Sequence, residues 1–494
     1  VNSTVSYSYM ESLQNHFEKF RKNIVGIDAT YQSPYGTMPV IYADWIASGR
    51  LYRPIEEKML EVFGPMVANT HTESSETGRF MTEAYHFALK DIKRHVNAGP
   101  ADVIITAGFG MTAVVNKFQR ILGLRNRAVQ FASPDDKPVV FVTHMEHHSN
   151  QTSWYETNAD VVVMEPDENL LVSAEKLREA VAPYRNRPLI IGSFSAGSNV
   201  TGILTPFHQL AAVMHEIGGY CFVDFAASAP YVAMDMHPAK EEERLDAVFF
   251  SPHKFLGGPG TSGVLVFNSV LYKNRVPDQP GGGTVDWTNP WGEYKYIDDI
   301  ERREDGGTPG FLQAIRVALT IRLKEEMGVE KIHEREKELV EHAFRRLDAI
   351  PRVITLATDC RCRIGAVSFY MENLHYNLVV KLLSDRFGIQ MRGGCVCAGT
   401  YGHFLLHVSK EQSHSISEMI NHGDLSQKPG WIRWSIHPTT TDWEVDYIAD
   451  ALDKIAQHSD EWAKDYRYCK RSNEFFYSGS NPVEKIPAEN FFEL

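Results

Sequence analysis

The chain has 494 residues, too many for one compact core, so two domains are expected. Apolar residues at 43% and charged residues at 23% are the balance of an ordinary soluble globular protein. A formal net charge of −13 argues against a nucleic-acid partner, whose phosphates need a basic surface. No apolar run reaches the roughly 18 residues that span a membrane. Residues 1–20 carry no signal-peptide pattern. Six cysteines in this length do not make a disulfide framework. A reducing, cytoplasmic location is therefore expected.

Ser12 to Asn23 reads as a helix, Val40 to Asp44 as a short strand entering a turn, and Pro54 to Phe63 as a helix with Pro54 in its first turn. From Asp102 the pattern becomes regular. Val103–Thr106 is an apolar strand and Ala107-Gly108-Phe109-Gly110 a tight turn. Met111, Val114, Val115, Phe118, Ile121 and Leu122 then share one helical face. Strand, glycine turn and helix present free backbone N–H groups to a phosphate, but no GKS or GKT follows, so this is not a nucleotide P-loop.

Further strands are expected at Val139–Val142, Val161–Met164, Leu189–Phe194, Cys221–Val223, Ala247–Phe250 and Val264–Phe267, with helices between several of them, such as Pro206–Ile217. Continuous apolar strands alternating with helices indicate a mostly parallel seven-stranded sheet covered on both faces. Ligands gather at the carboxyl ends of such strands. There the sequence places Glu146-His147-His148-Ser149-Asn150, Ser198-Asn199-Val200-Thr201-Gly202, Asp224, and Ser251-Pro252-His253-Lys254. An aspartate ending an apolar strand is costly unless a cation meets it. A lysine just beyond a buried strand loses hydration, and its neutral amine becomes free to attack a carbonyl. His147 and His148 do not suggest a metal: neighbours on an extended segment point opposite ways, and no second ligand pair has zinc-like spacing.

One long helix is expected from about Gln313 to Val340, leading into a smaller α+β domain marked by Ile364–Tyr370, Leu378–Arg386, Trp431–Ile436 and Glu444–Ile455. The aromatic tail beyond Trp462 is read as packing on the body or on a partner subunit.

In order and spacing these segments, with Gly306-Gly307-Thr308-Pro309 and Arg392-Gly393-Gly394-Cys395-Val396-Cys397-Ala398, resemble the class V aminotransferase family. These are α/β enzymes of the pyridoxal-phosphate-dependent transferase fold type I, and the cysteine desulfurase and selenocysteine lyase branch is the most similar. The resemblance implies an N-terminal segment at 1–65 packing with the small domain, a large cofactor domain at 66–325, and a small domain at 326–494 with an insertion at 398–430. It implies that Lys254 forms a Schiff base with pyridoxal 5'-phosphate, that Asp224 pairs with the ring nitrogen, that His147 stacks on the ring and that Asn199 lies beside its phenolic oxygen. Gly110, Met111, Thr112, Ser251 and His253 would hold the phosphate. Thr308 would reach the phosphate of a neighbouring subunit, hence a homodimer. Arg433, with Asn199 and His71, would bind the substrate carboxylate.

Cys397, five residues after Arg392, matches the nucleophile that takes sulfur or selenium from a cysteine-type substrate. It would leave alanine and a persulfide on a mobile loop, for delivery to a sulfur-acceptor protein. Two departures stand out. Ala227 replaces the glutamine usual three residues after the aspartate, and the stretch between Cys397 and Arg433 exceeds the usual cysteine loop. Two other readings stay open: another class V reaction (aminotransferase, epimerase or C–S β-lyase) with Cys397 structural, and a non-catalytic scaffold subunit.

Overall fold

The computed structural model describes residues 12–126, 128–361, 363–480, 483 and 487–493. The readings that fall on residues 1–11 lie outside this set. Among the described residues a seven-stranded sheet organises the larger part: β1 (Asp102–Ala107), β2 (Val139–Val142), β3 (Asp160–Val163), β4 (Ile190–Ser195), β5 (Tyr220–Asp224), β6 (Ala247–Phe250) and β7 (Gly263–Asn268). The spatial order is β1-β7-β6-β5-β4-β2-β3. Only β7 runs against its neighbours β1 and β6; the other pairs are parallel.

Alternate residues of the central strands serve opposite faces, as the two-residue strand period requires. Phe222 and Phe249 pack with Phe118 of α1 (Met111–Ile121). Val223, Val248 and Phe250 pack on the other face with Leu210 and Met214 of α3 (Phe207–Glu216). Between them in sequence lies α2 (His148–Tyr155), with His147 as its N-cap. His147 and His148 therefore open a helix rather than sit on an extended segment, which corrects the expectation from sequence. The cause is local: the His147 Nδ1 accepts the Ser149 N–H at 3.0 Å, satisfying one of the helix's free donors.

The helix expected across 313–340 is two, α4 (Phe311–Met327) and α5 (Val329–Leu347). They break at Gly328, whose φ of 82° ends the first helix in a conformation that favours glycine. Beyond α5, an antiparallel sheet of order Val353–Thr355, Ala366–Met371, Trp431–Ser435, Arg392–Gly394 packs on α5 and on the helices Tyr376–Phe387 and Asp442–Trp462. The aromatic tail folds as a hairpin, Tyr466–Cys469 with Glu474–Tyr477. It sits on this unit: Asn473 bonds Tyr376, His375 and Asn377.

The N-terminal segment straps the two sheets together. Ile41–Tyr42 pairs in parallel with Ile389–Gln390. A few residues later the Gly49 N–H donates to the His253 carbonyl at 2.9 Å. A Cβ at Gly49 would lie 1.8 Å from the Phe255 carbonyl oxygen, so only glycine lets the strap lie against the Lys254 loop. Gly49→Ala is therefore expected to lower stability by about 1–3 kcal/mol in urea melts through overpacking. Gly282→Ala, where a Cβ meets nothing within 4 Å, should stay within about 0.5 kcal/mol of the parent. Equal melts for the two variants would contradict the strap.

Candidate active site

The parallel strands deliver their polar ends to one cavity of about 770 Å³. Its wall includes Gly110, Met111, Thr112, His147, Asn199, Asp224, Ser251, His253, Lys254, Cys397 and Arg433, so most residues singled out from sequence converge. His71 and Thr308 do not join them. His71 lines a separate cavity of about 680 Å³ with Tyr85 and Asp305, and Thr308 lies exposed in the loop beyond it.

One end of the cavity is built for an anion. The turn before α1 takes left-handed glycine conformations, Gly108 at φ 57° and Gly110 at φ 153°. A Cβ at Gly110 would crowd His253 Cε1 at 2.9 Å and Ser251 Oγ at 3.1 Å. Ser251 Oγ accepts the Met111 N–H at 2.9 Å, and the Thr112 and Ser149 hydroxyls bond at 2.7 Å. A helix N-terminus, hydroxyls and a bare glycine wall suit a phosphate. Burial lowers the pKa of His253, and the neighbouring Lys254 lowers it further.

At the centre, Asp224 closes β5 and is buried, accepting the Ala226 N–H at 2.8 Å. Burial raises its carboxyl to about 7. Lys254 follows β6, and burial lowers its amine to about 8 although the Asp224 charge opposes the shift. Among the described residues no ion pair joins the two. Both line the cavity, as do Ala226 and Ala227. His147 is held neutral, its imidazole lowered to about 3 by burial and by the Lys254 charge. Glu146, fully buried, is a structural hub: it accepts from Thr143, Asn150 and Ser195 and fixes the strand ends on either side.

The far end is cationic. In the small sheet Arg392 stands directly opposite Arg433, an unfavourable like-charge pair. Asp44 resolves it: one carboxylate oxygen accepts from Arg433 at 2.6 Å and the other from Arg392 at 2.9 Å. Arg433 also donates to the Asn199 carbonyl at 3.0 Å. Arg433 Nε and Asn199 Oδ1 are buried without a partner among the described residues. Asp44 was not among the residues expected at the site. Its signal was available, since it too is an acid directly after an apolar run, Ile41–Ala43.

Cys397 sits at the mouth in a turn closed by the Ala398 N–H on the Cys395 carbonyl at 3.0 Å. Val396 and Cys397 both have positive φ, 41° and 59°. This is costly for non-glycine residues and is held in place only by surrounding contacts. The Asn199 amide donates to the Val396 carbonyl at 2.7 Å, and the His148 N–H to the Cys397 carbonyl at 2.8 Å. These two bonds tie the loop to α2 and to the loop after β4. The long insertion behind it forms the helices Gly399–Leu405 and Lys410–Asn421. The first is buried through Tyr401 and Leu405. The stretch after the second is tied to the tail hairpin by Leu425 and Asp424 on Lys470. Among the described residues no His, Cys, Asp and Glu cluster fits a metal.

The chain matches the family model "Aminotransferase class-V" over residues 41–448. It belongs to the class V aminotransferases. A protein of Halalkalibacterium halodurans named "Probable cysteine desulfurase" is 26% identical over 368 residues, covering 73% of this chain and 84% of its own. One of the same name from Staphylococcus epidermidis is 30% identical over 339 residues, covering 67% and 76%. Among solved structures, a cysteine desulfurase from Thermococcus onnurineus superposes with a TM-score of 0.70 at 21% identity, covering 89% of this chain and 98% of its own. One from Escherichia coli gives 0.68 at 21% identity with the same coverage. These two establish the fold, that of the fold type I enzymes expected from the motifs.

Two predictions follow from the electrostatics. Reductive alkylation of Lys254 by a small aldehyde and cyanoborohydride should rise with pH through a midpoint near 8. Asp224→Asn should move that midpoint down, because the carboxylate that favours the ammonium form is gone. A midpoint above 10 in the parent, read by peptide mass, would contradict the buried amine. Asp44→Ala leaves the two guanidiniums facing each other and should cost about 3 kcal/mol in urea unfolding. A loss below about 0.5 kcal/mol would make the bridge incidental.

Proposed function

We propose that this chain is a pyridoxal-phosphate-dependent cysteine desulfurase, acting on L-cysteine-type substrates and carrying the released sulfur or selenium on Cys397, with alanine as the other product. The observation that carries the reading is a strained cysteine turn at the mouth of the cavity that holds Lys254 and Asp224. The family membership and the names of its relatives support it.

The residues fit the cofactor. Ser251, His253, Gly110, Met111 and Thr112 would hold its phosphate. Asp224 is a buried acid lacking a cation, and a protonated ring nitrogen would supply one and keep the carboxylate charged. The neutral His147 offers a ring face for stacking. Asn199, with an unused buried Oδ1, would lie beside the ring in place of the glutamine that Ala227 lacks. When bound, the group supplies an aldehyde that captures amines and a ring that accepts the electron pair of a carbon acid.

The chain's own residues then do the following. Lys254 gives up a proton readily because its amine is buried, and the same amine would carry a proton at the substrate carbon. Arg433, fixed by Asp44 and the Asn199 carbonyl, would present its guanidinium to the substrate carboxylate. The Cys397 thiolate attacks the substrate sulfur. An S–S bond forms as the substrate Cβ–S bond breaks, and the electron pair of that bond stays with the carbon skeleton, which takes up a proton and leaves as alanine.

His71 and Thr308, both outside this chain's own Lys254 cavity, are read as serving the site of a second copy in a homodimer. A sulfur-acceptor protein would take the persulfide from the exposed Cys397. Among the described residues no helix is long and apolar enough to cross a membrane.

The purified holoenzyme given L-cysteine should form alanine and persulfide in equal amounts. Cys397→Ala should keep the cofactor absorption band yet lose at least about 100-fold in persulfide formation, as expected for a lost nucleophile. Lys254→Ala should lose the parent's cofactor absorption band in the absence of substrate, because the amine that captures the aldehyde is gone. Wild-type persulfide yield from Cys397→Ala would overturn the assignment.

A further inference from the structure

The Cys395–Ala398 turn is not stable on its own account. Two consecutive non-glycine residues in left-handed backbone, one of them the β-branched Val396, are each strained. Something outside the turn must hold it. Much of that hold comes from one short helix, α2. The His148 N–H donates to the Cys397 carbonyl at 2.8 Å. The His148 Nε2 accepts the Gly399 N–H at 2.9 Å. One helical turn on, the buried Gln151 accepts the Thr400 hydroxyl at 2.9 Å. The residue before His148 is the N-cap His147, in the cavity wall.

We propose that His148 is the positioning residue for Cys397, its imidazole and peptide N–H together gripping the C-terminal side of the strained turn, at the Gly399 N–H and the Cys397 carbonyl, so that the thiol is held at the cavity wall. The assignment rests on the desulfurase reading of Cys397. Accepting at Nε2 requires a neutral ring with its proton on Nδ1. Burial and the nearby Lys428 charge both favour the neutral ring. Space agrees: a Cβ at Gly399 would touch His148 Nε2 at 3.1 Å, so glycine lets the chain approach the ring. The Asn199 amide on the Val396 carbonyl completes the clamp from the opposite strand end. Removing the His148 ring therefore leaves the cofactor cradle untouched and frees the turn to relax out of left-handed backbone.

The test uses the full-length holoenzyme and the variants His148→Ala and His148→Gln, the second keeping an acceptor of similar reach. Three measurements are made on each: the cofactor absorption band, L-cysteine turnover, and the rate of Cys397 alkylation by iodoacetamide with cofactor bound and no substrate, read by peptide mass. His148→Ala is expected to keep the band and the KM. Its kcat for persulfide formation should fall about 10- to 100-fold, since a thiol misplaced by an ångström loses that order of rate. Its Cys397 alkylation rate should also change severalfold. His148→Gln should recover part of kcat and of the parent alkylation rate. Parent-like kcat and alkylation in His148→Ala overturn the proposal, as does loss of the cofactor band in both variants, which would place His148 in the cofactor site. If the parent itself makes no persulfide, the desulfurase reading fails, while the alkylation rates still report whether His148 holds the turn.

Discussion

A buried acid and a buried amine at one edge govern the large sheet. Asp224 ends β5 and Lys254 follows β6, adjacent strands of one parallel sheet, so their side chains emerge on the same edge. Burial disfavours charge on both, raising the carboxyl to about 7 and lowering the amine to about 8. Ala226 and Ala227 line the same cavity, and the buried Glu146 is fixed by five hydrogen bonds from Thr143, Asn150 and Ser195. Two groups left poised between charged and neutral forms are the usual signature of acid–base work.

The second constraint is charge at the domain junction. Antiparallel register in the small sheet sets Arg392 against Arg433, and an isolated pair of guanidiniums there would repel. Asp44 arrives from the N-terminal strap, takes one hydrogen bond from each and turns the repulsion into a three-centre bridge. The same strap passes Gly49 against the Lys254 loop. One stretch of a few residues therefore fixes the arginine end and the lysine end of the cavity relative to each other.

Much of this was legible in the sequence, and the reason differs from place to place. Asp224 and Lys254 were visible because each follows an apolar strand, where a charge is conspicuous. The phosphate cradle was visible because Gly108 and Gly110 interrupt a strand–helix pattern. Asp44 follows an apolar run as Asp224 does, but its two arginine partners lie far along the chain, so its place between them is not legible from local sequence. The break at Gly328 was hidden by helical periodicity that continues through it, and a lone glycine within such a pattern is usually tolerated. The left-handed turn at Val396 and Cys397 was the hardest to anticipate. Neither residue favours that backbone, and the bonds that enforce it come from His148 in α2 and from Asn199 in the loop after β4.

The bridge from Asp44 to Arg433 joins residues 389 positions apart. A chain emerging from the ribosome displays its lysine and its aspartate long before the arginine that completes the pocket. Until Arg433 has been synthesised, Asp44 has no guanidinium from that strand to pair with, and the strap has no finished second sheet to fasten. Contacts of such sequence separation form late and slowly. The arginine end of the pocket therefore waits on the strand that carries Arg433.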